Sequence, residues 1–411
     1  VRILRFLAGW RLGAASLALA TLGGCGGAGE EPGRPADNSE RAARLATETL
    51  LIDTHVDVPY RLRAGGDEDL SQRTEGGHFD YPRARAGGLD APFMSIYIPA
   101  EYQETGGARE LADELIDMVE GFVERWPDRF ALATSTADVR ENFESGRISL
   151  PMGMENGAAI ETLADLEHFR DRGIRYITLT HSENNRICDS SYATEREWHG
   201  LSPFGEEVVR EMNRLGIMVD ISHVSDETFE QVLQITETPV IASHSSCRHF
   251  TPGWERNMSD EMIRALAANG GVIQINFGSA FLDEAQNRQS QKMYEEFGRF
   301  LEEHDLAQDS PEAAAEMERL KTVYPPLPVP LARVADHIDH VVSLVGIDHV
   351  GIGSDFDGVT ALPLGLEDVS RYPALIEELL DRGYDDEDIR KILSGNILRV
   401  WGAVEAYAAG S

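Results

Sequence analysis

His55-Val56-Asp57 sets an imidazole and a carboxylate at positions i and i+2, and along an extended strand such side chains leave the same face. Together they can hold one divalent ion, and zinc accepts mixed nitrogen and oxygen ligands readily. Taken alone the triplet also suits a surface turn with a satisfied histidine. Three further residues change the balance, because each closes an apolar run of its own. Glu155 ends Met152-Gly153-Met154-Glu155, His223 ends Val219-Asp220-Ile221-Ser222-His223, and His244 ends Ile241-Ala242-Ser243-His244. Two histidines and a shared glutamate would complete a second ion site, with Glu155 as the anion between cations about 3.5–4 Å apart. A carboxylated lysine could bridge in the same way, but the chain has only Lys292, Lys321 and Lys391, and none lies near a strand exit.

Other residues suggest roles beyond metal binding. His181, closing Thr178-Leu179-Thr180-His181, could hydrogen-bond the oxyanion of a tetrahedral intermediate. Asp355, in Gly353-Ser354-Asp355-Phe356-Asp357-Gly358, could carry a proton to a leaving group, or simply cap a helix. Arg256, in Trp254-Glu255-Arg256-Asn257, could fork onto a substrate carboxylate, with Arg248 as a rival and a surface salt bridge as the plainer alternative. His78, His168, His199, His249, His304, His337, His340 and His349 have no matching partners in the sequence, and His337 and His340 read as helix surface.

These residues need a frame that brings distant segments together. Eight apolar runs of strand length supply it: 50–54, 93–98, 148–154, 174–179, 217–221, 240–242, 271–276 and 350–353. Between them lie amphipathic stretches at 111–125, 163–172, 203–215, 226–235, 260–268 and 331–345. Alternation of this kind predicts parallel pairing with right-handed crossovers. The expected fold is therefore α/β, a (β/α)8 TIM barrel of the metal-dependent hydrolase type, whose C-terminal rim collects the side chains that end each strand. Residues 281–330 break the rhythm with charged helical patterns and a Pro325-Pro326-Leu327-Pro328 close. Leaving from the rim, they suit a lid, an oligomer contact or a merely solvated insertion.

The chain has 411 residues and a formal charge of -34, which argues against nucleic acid as a partner. Residues 1–24 read as an export signal, with Arg2, Arg5 and Arg11 ahead of an apolar stretch from Leu12 to Leu22. Leu22-Gly23-Gly24-Cys25 resembles the lipobox of bacterial lipoproteins; a plain secretory signal or an anchor helix is the alternative. The lipoprotein reading makes Cys25 the lipidation site and places the protein in a bacterial cell envelope, exported, membrane-anchored and facing the periplasm or the exterior. Residues 25–44 read as a flexible tether and 45–411 as the barrel. Cys188 and Cys247 would remain for one disulfide or two free thiols.

The motifs around His55, Glu155, His181, His223, His244 and Asp355, in this order from about residue 48 to the C-terminus, resemble the membrane (renal) dipeptidase family, peptidase family M19. That resemblance implies a zinc-dependent dipeptidase, often a homodimer, with two Zn2+ per subunit: His55 and Asp57 on one, His223 and His244 on the other, and Glu155 bridging. It also implies substrate roles for His181, Arg256 and Asp355, and tolerance of a D-residue at the second position of the dipeptide. The expected reaction is attack on the peptide carbonyl by water or hydroxide held between the metals. The same machinery would serve an amidohydrolase acting on another small amide, lactam or lactone, and a non-catalytic lipid-anchored binding protein is the third reading. The family's C-terminal lipid anchor and its disulfides find no counterpart in Ala403 to Ser411 or in the cysteine positions.

Overall fold

The computed structural model describes residues 38–66, 68–306 and 310–410. Eight parallel strands form one sheet in sequential order: β1 (Ile52–Val56), β2 (Ala91–Tyr97), β3 (Met152–Glu155), β4 (Ile174–Thr178), β5 (Met218–Asp220), β6 (Ile241–Ser245), β7 (Val272–Ile275) and β8 (Val350–Ile352). The sheet curls until its ends meet. Just beyond the last strand Phe356 bridges Val56 in parallel, with Asp57 N–H donating to the Phe356 carbonyl at 2.8 Å and Asp355 N–H to the His55 carbonyl at 3.1 Å. All eight strands are buried almost throughout, as parallel strands covered by helices require.

The helices that cover the barrel begin where the sequence supplies caps. Ser202, Ser225 and Ser259 each accept the backbone N–H three residues on, opening Pro203–Leu215, Asp226–Ile235 and Asp260–Ala268; a capping hydroxyl satisfies one of the orphan donors of a first turn. Below, the C-terminal helix Asn396–Gly410 plugs the barrel. Its Trp401 is fully buried beside Phe93, in a cluster with Ile52, Met218, Ile241 and Val272 from the strand starts. That closed floor leaves the opposite, C-terminal rim for loops.

Three sequence readings change. The run 148–154 is two strands: Ile148–Leu150 pairs with Phe130–Leu132 outside the barrel, and the barrel strand starts only at Met152. Pro151 stands at the break, lacking the N–H that a continuous ladder needs. The tether expected over 25–44 gives way at Asn38 to a helix, Asn38–Glu48, whose Ala42, Leu45 and Ala46 are buried; residues 25–37, Cys25 and the export signal lie outside the described residues. His337 is not helix surface but fully buried, and His340 is largely buried against Asp260. Cys188 and Cys247 are both buried and free. The 281–330 insertion forms two long helices, Glu284–His304 and Pro311–Val323, packed around Met293, Phe297, Ala313 and Leu320.

Candidate active site

Six strand ends deliver their polar residues to one point on the rim. The Glu155 carboxylate lies at its centre, with Oε2 3.4 Å from His55 Nε2 and Oε1 3.1 Å from His223 Nε2 and 3.2 Å from His244 Nε2. Asp57 Oδ2 is 3.3 Å from the same His55 nitrogen. The two carboxylate oxygens therefore divide the ligands: His55 and Asp57 face one, His223 and His244 the other. All five predicted ligands are brought together and buried.

Hydrogen bonds behind the site settle how the histidines present themselves. Tyr176 donates its hydroxyl proton to the Thr54 carbonyl at 3.0 Å, so its oxygen accepts from His55 Nδ1 at 2.8 Å. Ser243 donates to Asp220 Oδ2 at 2.6 Å and accepts from His244 Nδ1 at 2.8 Å. In both rings the outer nitrogen carries the proton and Nε2 turns to the centre, the arrangement by which ligand histidines are oriented. The ring of Tyr176 fits only because residue 153 is glycine, where a Cβ would stand 2.0 Å from the Tyr176 ring.

That geometry tests whether the cluster suits a metal. His55 Nε2 is buried without a hydrogen-bond partner, and His223 Nε2 and His244 Nε2 stand 2.8 Å apart. Lone pairs and carboxylates converging in a buried site call for positive charge between them. The titration behaviour expresses the same demand. Burial disfavours a charged His55, yet the Tyr176 oxygen, Glu155 and Asp57 outweigh it and hold its pKa well above the usual value. Burial would also raise Glu155, but His55 and His181, with hydrogen bonds from His223 and His244, hold it well below. Burial, then Arg256, pushes His223 well down; burial, then His55, does the same to His244. His223 and His244 as neutral imidazoles beside an ionised Glu155 are in the protonation states that metal binding needs, and the raised His55 shows the acidic side of the cluster drawing in a positive charge.

Around this core sit the residues expected to meet substrate. Asp355 groups with His55 and Asp57, and its Oδ2 accepts from Asn276 Nδ2 at 2.7 Å. Burial, then the Asp57 charge, pushes its carboxyl well above the usual range. The approach of the two carboxylates depends on Gly358, where a Cβ would lie 2.3 Å from an oxygen of each. His181 Nε2 is 3.5 Å from Glu155 Oε1, and its side chain, 20% exposed, is the most open of the histidines here. Burial lowers its pKa. The Tyr97 ring meets it edge-on at 4.9 Å.

Arg256 is no surface residue. It is 3% exposed, donates to Ser245 Oγ at 2.7 Å and to the His244 carbonyl at 2.8 Å, and lies over the Phe281 ring. Among the described residues no carboxylate lies within ion-pair distance of it, and its Nε has no partner. Arg248, the rival, is held by both oxygens of Asp226 at 2.6 and 2.7 Å. A buried guanidinium without a counter-charge is the better receptor for an incoming carboxylate.

Sequence reading placed Asn276 at a strand end without a role, and missed Tyr176 and Asp220 as supports, and Tyr192, whose ring stands 5.9 Å from His223. Asp220 accepts from Ser222 N, Ser243 N, Thr178 Oγ1 and Ser243 Oγ, spanning β4, β5 and β6. A buried acid three residues before a candidate ligand histidine was the available signal. Backbone strain was invisible: Asn156, His223, Asp355 and Asp357 all adopt positive φ, between 64° and 79°, and such residues cluster at functional sites.

Comparison with known proteins agrees with the geometry. The family model described as membrane dipeptidase (Peptidase family M19) matches residues 39–411. Dipeptidase verJ of Clonostachys rogersoniana is 35% identical over 387 residues, covering 90% of this chain and 88% of that protein. The probable dipeptidase PvdM from Pseudomonas aeruginosa superposes with a TM-score of 0.79 at 28% identity, over 91% of this chain and all of that one, or 100%. A metallo peptidase from Rhodobacter sphaeroides, solved with a phosphinate mimic of the dipeptide L-Ala-D-Ala, gives 0.71 at 25% identity, over 87% and 100% of the two chains.

Proposed function

The chain belongs to the membrane dipeptidase family, peptidase family M19, and is a metallodipeptidase; from that premise we propose that it cleaves dipeptides with a pair of zinc ions held on either side of Glu155. The observation that carries the reading is the division of the Glu155 oxygens between His55 and Asp57 on one side and His223 and His244 on the other. When bound, such a metal pair supplies Lewis acidity to the scissile carbonyl and renders water acidic enough to ionise near pH 7, about the value reached in zinc hydrolases.

The protein's own groups do the rest. Arg256 fixes the free carboxylate of the substrate by charge-assisted hydrogen bonds, which restricts the enzyme to short peptides. His181, neutral because burial lowers its pKa, donates a hydrogen bond to the oxygen that becomes negative. Asp355, whose carboxyl burial and the Asp57 charge make readier to take up a proton, can deliver one to the departing amine. Asn276 keeps that carboxyl turned inward. Burial of the cluster excludes bulk water and strengthens each of these interactions.

We further read the second substrate position as accepting a D-residue, which the phosphinate complex of the Rhodobacter relative supports. The envelope location through a lipidated Cys25 and a homodimeric state belong to the same proposal. No helix of the described residues is long and apolar enough to cross a membrane. A panel of L,L- and L,D-dipeptides, with lactam and lactone controls, tests the reading on zinc-loaded and chelator-stripped enzyme. We expect metal-dependent cleavage of both dipeptide series. Turnover of lactones alone, or hydrolysis indifferent to chelator, would contradict it.

A further inference from the structure

A second set of metal-ligating side chains stands outside the cluster around Glu155. His249 lies in the single turn Arg248–Phe250 after β6, Asp260 opens the helix Asp260–Ala268, and His340 lies on the helix Ala332–Val345. One ligand atom from each falls within 4.8 Å of the others. His340 Nε2 is 2.7 Å from Asp260 Oδ1, and the His249 and His340 rings stack with centroids 4.4 Å apart. Two imidazoles and one carboxylate suit zinc or copper, whereas calcium and magnesium prefer all-oxygen cages. Asp260 is already fixed, since the Ser259 cap sets the helix start that carries it. His249 is exposed, so solvent can complete the coordination.

We propose that His249, Asp260 and His340 form an additional transition-metal site that clips the loop bearing Arg256 to the outer helices. Three separate segments meet there, so a bound ion ties them together without touching substrate. The inner face of the same helix already makes a parallel link: His337 Nδ1 accepts from Cys247 N–H at 3.0 Å and Nε2 donates to the Leu282 carbonyl at 3.1 Å, at the base of the insertion. The exposed site would add a second, metal-dependent clasp to this buried one. The proton now shared between His340 Nε2 and Asp260 moves to Nδ1 when a cation takes its place.

Zinc per chain is to be measured on zinc-loaded enzyme equilibrated at micromolar free zinc, for the parent protein, His249→Ala and His340→Gln. The glutamine amide can still donate to Asp260, so the second variant guards against a folding defect. The expected result is one zinc fewer per chain in each variant, dipeptide turnover unchanged, and loss of the rise in melting temperature that added zinc gives the parent. Equal zinc content in all three proteins would overturn the site. So would extra zinc displaced equally well by excess magnesium or calcium, which marks general capture by an acidic surface. Glu155→Gln separates this from the catalytic reading, because it should lose activity while keeping the zinc that His249→Ala loses.

Discussion

At the scale of residues, the distinction between ligand and substrate contact rests on His181. It lies within 3.5 Å of Glu155 and groups with His223, close enough that proximity alone would admit it as a metal ligand. Its greater exposure and its place against Tyr97 favour the substrate side. His181→Ala should therefore keep its full zinc content and lower kcat by about 10²–10³-fold, the usual effect of removing one oxyanion donor. Loss of zinc in that variant, by elemental analysis, would make His181 a ligand instead. Arg256 gives a complementary test. Arg256→Ala should cut kcat/KM for a dipeptide by about 10²-fold or more, as truncating one partner of a buried charge pair does, while leaving hydrolysis of the same dipeptide amidated at its C-terminus almost unchanged. An equal fall for both substrates would remove Arg256 from carboxylate recognition.

Among elements, the join between β1 and β2 carries a titratable group outside the Glu155 cluster. Asp90, immediately before β2, accepts the Leu51 N–H at 3.1 Å, and burial, against that bond and Arg85, raises its pKa to about 7. An acid with a raised folded pKa stays protonated in the fold after the unfolded chain has ionised. Stability should thus fall as pH rises from 3.8 to about 7 and then level off. Asp90→Asn keeps an acceptor for Leu51 and removes the ionisation, so its urea midpoint relative to the parent should be higher at pH 8 than near pH 4, by roughly 4 kcal/mol or less in stability. A difference between the two proteins that does not vary with pH would contradict the assignment. The strands themselves were legible because buried parallel strands read as continuous apolar runs, and the helices because Ser202, Ser225 and Ser259 announce their starts. The split at Pro151 was written in the sequence but masked by apolar residues on both sides. The burial of His337 was not written there at all, since its partners, Cys247 and Leu282, are contributed by other segments.

For the whole molecule, the barrel turns a linear pattern into a site: each candidate ligand lies at or just past the end of a strand, and closing the sheet makes those ends neighbours. The convergence of the candidate ligands was readable for that reason, since strand ends need no knowledge of tertiary detail beyond closure. What closes the barrel was not readable, because the Val56 and Phe356 bridge and the Trp401 plug depend on pairings across hundreds of residues. On the proposed reading Glu155 lies between two cations. That reading is tested most directly by anomalous diffraction at the zinc edge from crystals of the zinc-loaded protein. Two peaks about 3.5–4 Å apart are expected, one against His55 and Asp57 and the other against His223 and His244, with a Glu155 oxygen on each; a single peak, or peaks that leave Glu155 uncoordinated, would rule the bridge out.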